Sequence, residues 1–80
     1  MATLNEVSEA MRMLINEQDI PRNVRDKMQQ MIAEIKAGGD QRILADKLLM
    51  QLEDLQSDIN LPSYVRTHIW SLSSMLENLE

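Results

Sequence analysis

Four stretches of the chain repeat apolar residues at intervals of three and four, and none alternates strictly between apolar and polar. The first carries Leu4, Val7, Met11, Leu14 and Ile15, and opens at Thr3 with Glu6 three residues on, the spacing of a capping box. The second follows Pro21 and carries Val24, Met28, Met31, Ile32 and Ile35 before Gly38-Gly39, where the chain is free to turn. Asp40 offers a cap for the third, with Ile43, Leu44, Leu48, Leu49, Leu52 and Leu55. The fourth follows Pro62 and carries Val65, Ile69, Leu72, Leu76 and Leu79. Proline lacks an N–H and presets φ, so it costs little at the first turn of a helix and breaks one elsewhere. Both prolines therefore mark starts, and the spacing predicts helices over about 3–18, 21–37, 40–57 and 62–79.

The second half restates the first at an offset of forty-one residues. DIPRNVR at 19–25 falls on NLPSYVR at 60–66, so Pro21 meets Pro62, Val24 meets Val65 and Arg25 meets Arg66. The seams agree in character: Val7 with Leu48, Met11 with Leu52, Met28 with Ile69, Met31 with Leu72 and Ile35 with Leu76. Two helical hairpins, about 3–37 and 40–79, each carry one apolar stripe, and two such stripes bury themselves best against each other. The expected fold is all-α, a four-helix bundle of two pseudo-repeated hairpins in a single domain over 1–80.

In that frame the repeated phrase is a joint, made of Glu17, Pro21, Val24 and Arg25 in one copy and Asp58, Pro62, Val65 and Arg66 in the other. Ile20 and Leu61 precede their prolines and are placed to pack on Val24 and Val65 as hydrophobic staples. Asp19 and Asn60 are side chains able to cap the helices that follow. Each arginine lies about 100° off its seam, with its stem packed and its guanidinium wet. From there it can reach Glu17 or Asp58, or the free carbonyls ending the preceding helix. Anion binding by the two arginines at paired helix starts is the functional alternative, and the acids already in register argue against it.

The acid, proline and Val-Arg pattern, with a period near forty, also resembles a HEAT repeat, but two repeats are fewer than a solenoid normally needs. The combination of IPRNVR with LPSYVRTHIW, including Arg66, Thr67, Ile69 and Trp70, more closely resembles Uncharacterised Protein Family 0147, over the span from about Val7 to the C-terminus. The resemblance implies a compact bundle-type domain in an archaeal cytoplasm. It implies no activity and supplies no catalytic residues.

Composition narrows the remaining options. With 80 residues and no cysteine, the chain has neither disulfides nor thiolate metal ligands to support a small core. The core must therefore pack efficiently or be shared with a partner. The N-terminus shows no basic segment followed by an apolar run, and no stretch is long and apolar enough for a membrane span. A net charge of −5 disfavours non-specific nucleic-acid binding. The cysteine-free composition fits a cytoplasmic location.

Candidate chemistry is sparse. His68 is the single histidine and is read as a partly exposed neutral side chain. No Glu-x-x-His pair supports a di-metal site, Gly38-Gly39 lacks the lysine of a phosphate loop, and nothing activates Ser71, Ser73 or Ser74. No cofactor or metal is expected, and the chain is read as non-enzymatic. Met11, Met28 and Met31 are core filler, whereas Met13 and Met50 lie off their seams. Trp70 lies well around its helix from the seam. The simplest expectation lays it across a neighbouring helix within the chain. The alternative makes Trp70, Met50 and Leu49 a contact surface for a protein partner, or for a homodimer through the second hairpin. No sequence feature assigns a role beyond a protein-interaction or self-associating module. An accessory nucleic-acid binder using Arg22, Arg25, Lys27 and Arg66 ranks second, because Asp26 interrupts the basic run.

Overall fold

Each periodic segment is a helix in the computed structural model, which describes residues 2–79: α1 spans Leu4–Ile15, α2 Arg22–Ala37, α3 Gln41–Gln56 and α4 Ser63–Glu77. Thr3 and Glu6 close a reciprocal capping box at the start of α1, with bonds of 3.2 and 3.1 Å. The Asp40 carboxylate accepts from the backbone of Arg42 and Ile43 at the start of α3. Gly38 and Gly39 hold φ of 81° and 115°, the left-handed region that glycine occupies without penalty, and so reverse the chain between α2 and α3.

Pro21 and Pro62 stand immediately before α2 and α4, each in an extended conformation that feeds the first turn. Neither helix start receives a side-chain cap, so the caps expected from Asp19 and Asn60 do not form. In the second turn the bond runs the other way: the Asn60 N–H donates to Asp58 Oδ1 at 2.9 Å. Two helices also stop short of expectation. α1 ends at Ile15 instead of residue 18, because Asn16 to Ile20 must cross the end of the bundle and return Ile20 to the interior. α4 ends at Glu77, after which Leu79 pairs in an isolated bridge with Ala2.

The helices close into a ring. α1 packs on α2 and α4, and α3 packs on α2 and α4, while α1 faces α3 and α2 faces α4 across the diagonals. A two-repeat solenoid would not bring α1 onto α4; a bundle does. Sixteen helical residues span about 24 Å, which fits rods aligned with the 32 Å axis of a body 19 Å across. One apolar cluster fills the centre with residues from all four helices, and Val7, Met11, Val24, Met28, Met31, Leu48, Leu52, Val65 and Ile69 are fully enclosed. Ile20 and Leu61 join the same cluster as the staples require. Where the second hairpin uses Leu52, Ile69 and Leu72, the first uses Met11, Met28 and Met31, whose flexible stems fill the equivalent space.

Candidate functional site

The short connections send the helices up and down in turn, so both joints lie at one end of the bundle and Gly38-Gly39 lies at the other, with the meeting of Ala2 and Leu79. The two joints also touch. Asn23 Nδ2 donates to Asp58 Oδ2 at 3.4 Å, a weak contact across thirty-five residues of sequence. In the reciprocal direction, Tyr64 stands where the repeat places Asn23, and it feels the carboxylates of Asp19 and Glu17. Desolvation first, then those two acids, raise the Tyr64 hydroxyl above its ordinary value. Each joint thus presents its helix start to the acids of the other, a pseudo-twofold exchange.

The arginines break that symmetry. Arg66 Nη1 donates to the Gln56 carbonyl at 2.8 Å and to Gln56 Oε1 at 3.2 Å, and Nη2 donates to the Asp58 carbonyl at 2.7 Å. The Gln56 amide returns a bond to the Arg66 carbonyl at 3.3 Å. Arg66 therefore clamps the carbonyl end of α3, where a cation also complements the helix dipole. It does not pair with the Asp58 carboxylate, whose two oxygens are already taken by Asn60 and Asn23. Arg25, half-buried at the equivalent position, makes no side-chain hydrogen bond or ion pair among the described residues. The repeat puts Ile15 where Gln56 stands, so the first joint lacks the amide that holds the guanidinium. The expected reach of Arg25 to Glu17 or to the end of α1 is not realised.

A polar cluster lies between α2 and α3, the least intimate of the four contacts in the ring. Lys47 pairs with Glu34 and holds its carboxyl below the ordinary 4.5, against the opposing effect of burial, and the Gln51 side chain lowers it further. Glu34 Oε1 and Gln51 Oε1 are both buried without a donor among the described residues. A folded value below the unfolded one means that Glu34 contributes stability above pH 4.5 and loses it as pH falls through the lower folded value. Lys47 is more than half exposed, so the pair contributes under ~1 kcal/mol. The urea midpoint of the wild type should therefore fall on acidification below pH 4.5. Glu34→Gln should show a shallower acid limb, and identical limbs would contradict the assignment.

Trp70 is not laid across a neighbour: it is 67% exposed on α4. The cause is geometric: with Val65, Ile69, Leu72 and Leu76 facing the core, Trp70 points away from the interior. Met50 and Ile43 are likewise exposed on the outer side of α3, and Leu49 is half-buried at its flank. Tyr64 and His68 meet edge to face at 6.3 Å on the solvent side of α4. A shallow cleft of about 410 Å³ runs between the start of α3 and the end of α4, past Leu49, Leu76 and Leu79. Among the described residues no three His, Cys, Asp or Glu side chains converge as metal ligands, and no helix is long and apolar enough to cross a membrane.

The UPF0147 protein of Archaeoglobus fulgidus is 36% identical over 76 residues, covering 95% of this chain and 87% of that protein. The UPF0147 protein of Methanothermobacter thermautotrophicus is 28% identical over 78 residues, covering 96% of this chain and 76% of that one. The crystal structure of unknown function protein MMP1188 has the same fold, with a TM-score of 0.86 at 23% identity over 96% of this chain and 89% of the other. The family model described as Uncharacterised protein family matches residues 1–79, further toward the N-terminus than the motifs alone indicate. The chain belongs to Uncharacterised protein family UPF0147.

Proposed function

We propose that this protein is a small non-enzymatic interaction module of the cytoplasm that engages a protein partner through the outer face of its second hairpin. The observation that carries this reading is Trp70. A tryptophan 67% exposed, in a chain with one tryptophan and one tyrosine, sits on the solvent side of α4. Aromatic residues and methionine are enriched at the centres of protein interfaces, and charged residues are depleted there. Leu49 and Met50 extend the apolar surface onto α3. The test is paired affinity capture from the native organism with wild type and Trp70→Glu as baits. Proteins retained by the wild type and lost by the variant support the reading. Identical retention by both overturns it.

The nucleic-acid reading keeps one favourable feature, the uncommitted guanidinium of Arg25 near Arg22 and Lys27. It is opposed by Glu17, Asp19 and Asp58, whose carboxylates gather at the same end of the bundle. Counterion release makes such binding strongest at low salt. Absence of RNA and DNA affinity at low ionic strength would dispose of it.

A further inference from the structure

The flank of α2 that runs beside α1 carries Arg22, Arg25, Gln29, Ile32 and Lys36. Their intervals of three, four, three and four place the five in one stripe along the helix. The opposite flank is the one turned to α3, where Glu34 meets Lys47 and Asn23 meets Asp58. Arg22, Gln29 and Lys36 are exposed, while Arg25 and Ile32 are half-buried. Ile32 rests on the core cluster, as does Ile15, which the repeat places beside Arg25 where Gln56 stands beside Arg66.

The fold spends none of these cations. Arg22, Arg25 and Lys36 make no side-chain hydrogen bond or ion pair among the described residues. Nearby acids are engaged elsewhere: Glu34 pairs with Lys47, Glu9 pairs with Arg12 at 2.7 Å, and Glu17 and Asp19 bear on Tyr64 of α4. Asp26 borders the stripe, one acid against three cations. The second hairpin folds the same way without this charge. Ser63 and Glu77 stand where Arg22 and Lys36 do, and Arg66, the twin of Arg25, is consumed by the end of α3. Like charges along one helix repel, and an anionic partner relieves that repulsion.

We infer that this stripe is the docking face for an acidic amphipathic segment of another protein, laid as a helix along the groove between α1 and α2. Its carboxylates meet Arg22, Arg25 and Lys36, and its apolar side chains cover Ile15 and Ile32. Two features favour a peptide over a nucleic acid. Half-buried isoleucine lies among the cations, and a phosphate backbone offers it nothing apolar. Beyond the stripe the surface is more acidic than the net −5 of the whole chain, so a long polyanion is repelled at both ends. A peptide helix of about four turns fits within the ~21 Å from Arg22 to Lys36. The face belongs to the first hairpin, on the helix diagonal to that of Trp70, and does not rest on the function proposed above.

The test is the anisotropy of a labelled synthetic peptide of about fourteen residues, with glutamate at every third or fourth position and leucine between, at roughly 50 mM salt. Binding to the wild type should weaken at least ~10-fold at about 300 mM salt. Arg22→Glu combined with Lys36→Glu should raise the dissociation constant at least ~30-fold, since like charges then face the glutamates. Arg25→Ala should raise it at least ~5-fold, as arginine anchors do. Arg42→Glu, a charge reversal on α3, should change it less than ~3-fold, through the long-range field alone. Circular dichroism should report retained helix in each. A peptide that does not bind, or that binds the stripe variants as tightly as wild type, overturns the inference. So does a single-stranded RNA or DNA of matched length that binds more tightly than the peptide. Self-association of the protein alone, abolished by the double variant, would make a second copy the occupant and overturn it as well.

Discussion

Leu52→Ala is expected to destabilise the protein by about 2–5 kcal/mol, because it removes a fully buried side chain and leaves a cavity the ring of helices cannot close. The size of the loss matters here more than in a larger protein. A domain of 80 residues is stabilised by only ~4–12 kcal/mol in total. The substitution should therefore lower the urea midpoint substantially, and at the upper end leave a mixed population at 25 °C. Its repeat partner, Met11, is equally enclosed on α1. Met11→Ala should cost a comparable amount, since both side chains are lost from the same interior. A loss below ~1 kcal/mol at either position would mean that the side chain lies in a site free to collapse.

Arg66→Ala is the second large effect, expected near ~1.5–3 kcal/mol from the charge-assisted bonds that hold the end of α3. The half-buried stem adds packing to that loss. Arg66→Lys should recover only part of it, because one ammonium cannot replace a planar fork spanning two carbonyls and an amide oxygen. Arg25→Ala, at the position the repeat makes equivalent, should stay within about 0.5 kcal/mol of wild type. The contrast is the informative result. Equal losses at the two arginines would mean that the first joint is clamped in solution as the second is.

Much of this architecture is legible in the residues because it is local. The two prolines, the Thr3–Glu6 box, Asp40 and Gly38-Gly39 act within a few residues, and the spacing of Val7, Met11 and Leu14 names a face without reference to anything distant. The staples Ile20 and Leu61 follow from the same proximity. What the residues hide is set by tertiary arrangement. That Asn23 reaches Asp58, and that the acids of the first joint bear on Tyr64, depends on both joints arriving at one end of the bundle. The unequal fates of Arg25 and Arg66 turn on whether Ile15 or Gln56 precedes the turn, a difference the matching phrases conceal.

Trp70 shows the opposite failure. Its angular position already points it outward, and the expected cover by a neighbouring helix does not form. The structure leaves it in water, 67% exposed. The candidate surface was thus readable as a position on a helix, but whether the chain covered it was not.

Native-state hydrogen exchange on wild type and Leu52→Ala tests most directly whether the two hairpins depend on one common interior. If they do, the slowest amides of α1 and α2 lose the same protection as those of α3 and α4, although the substitution lies on α3. Protection that falls in α3 and α4 while α1 and α2 keep their wild-type values would contradict it.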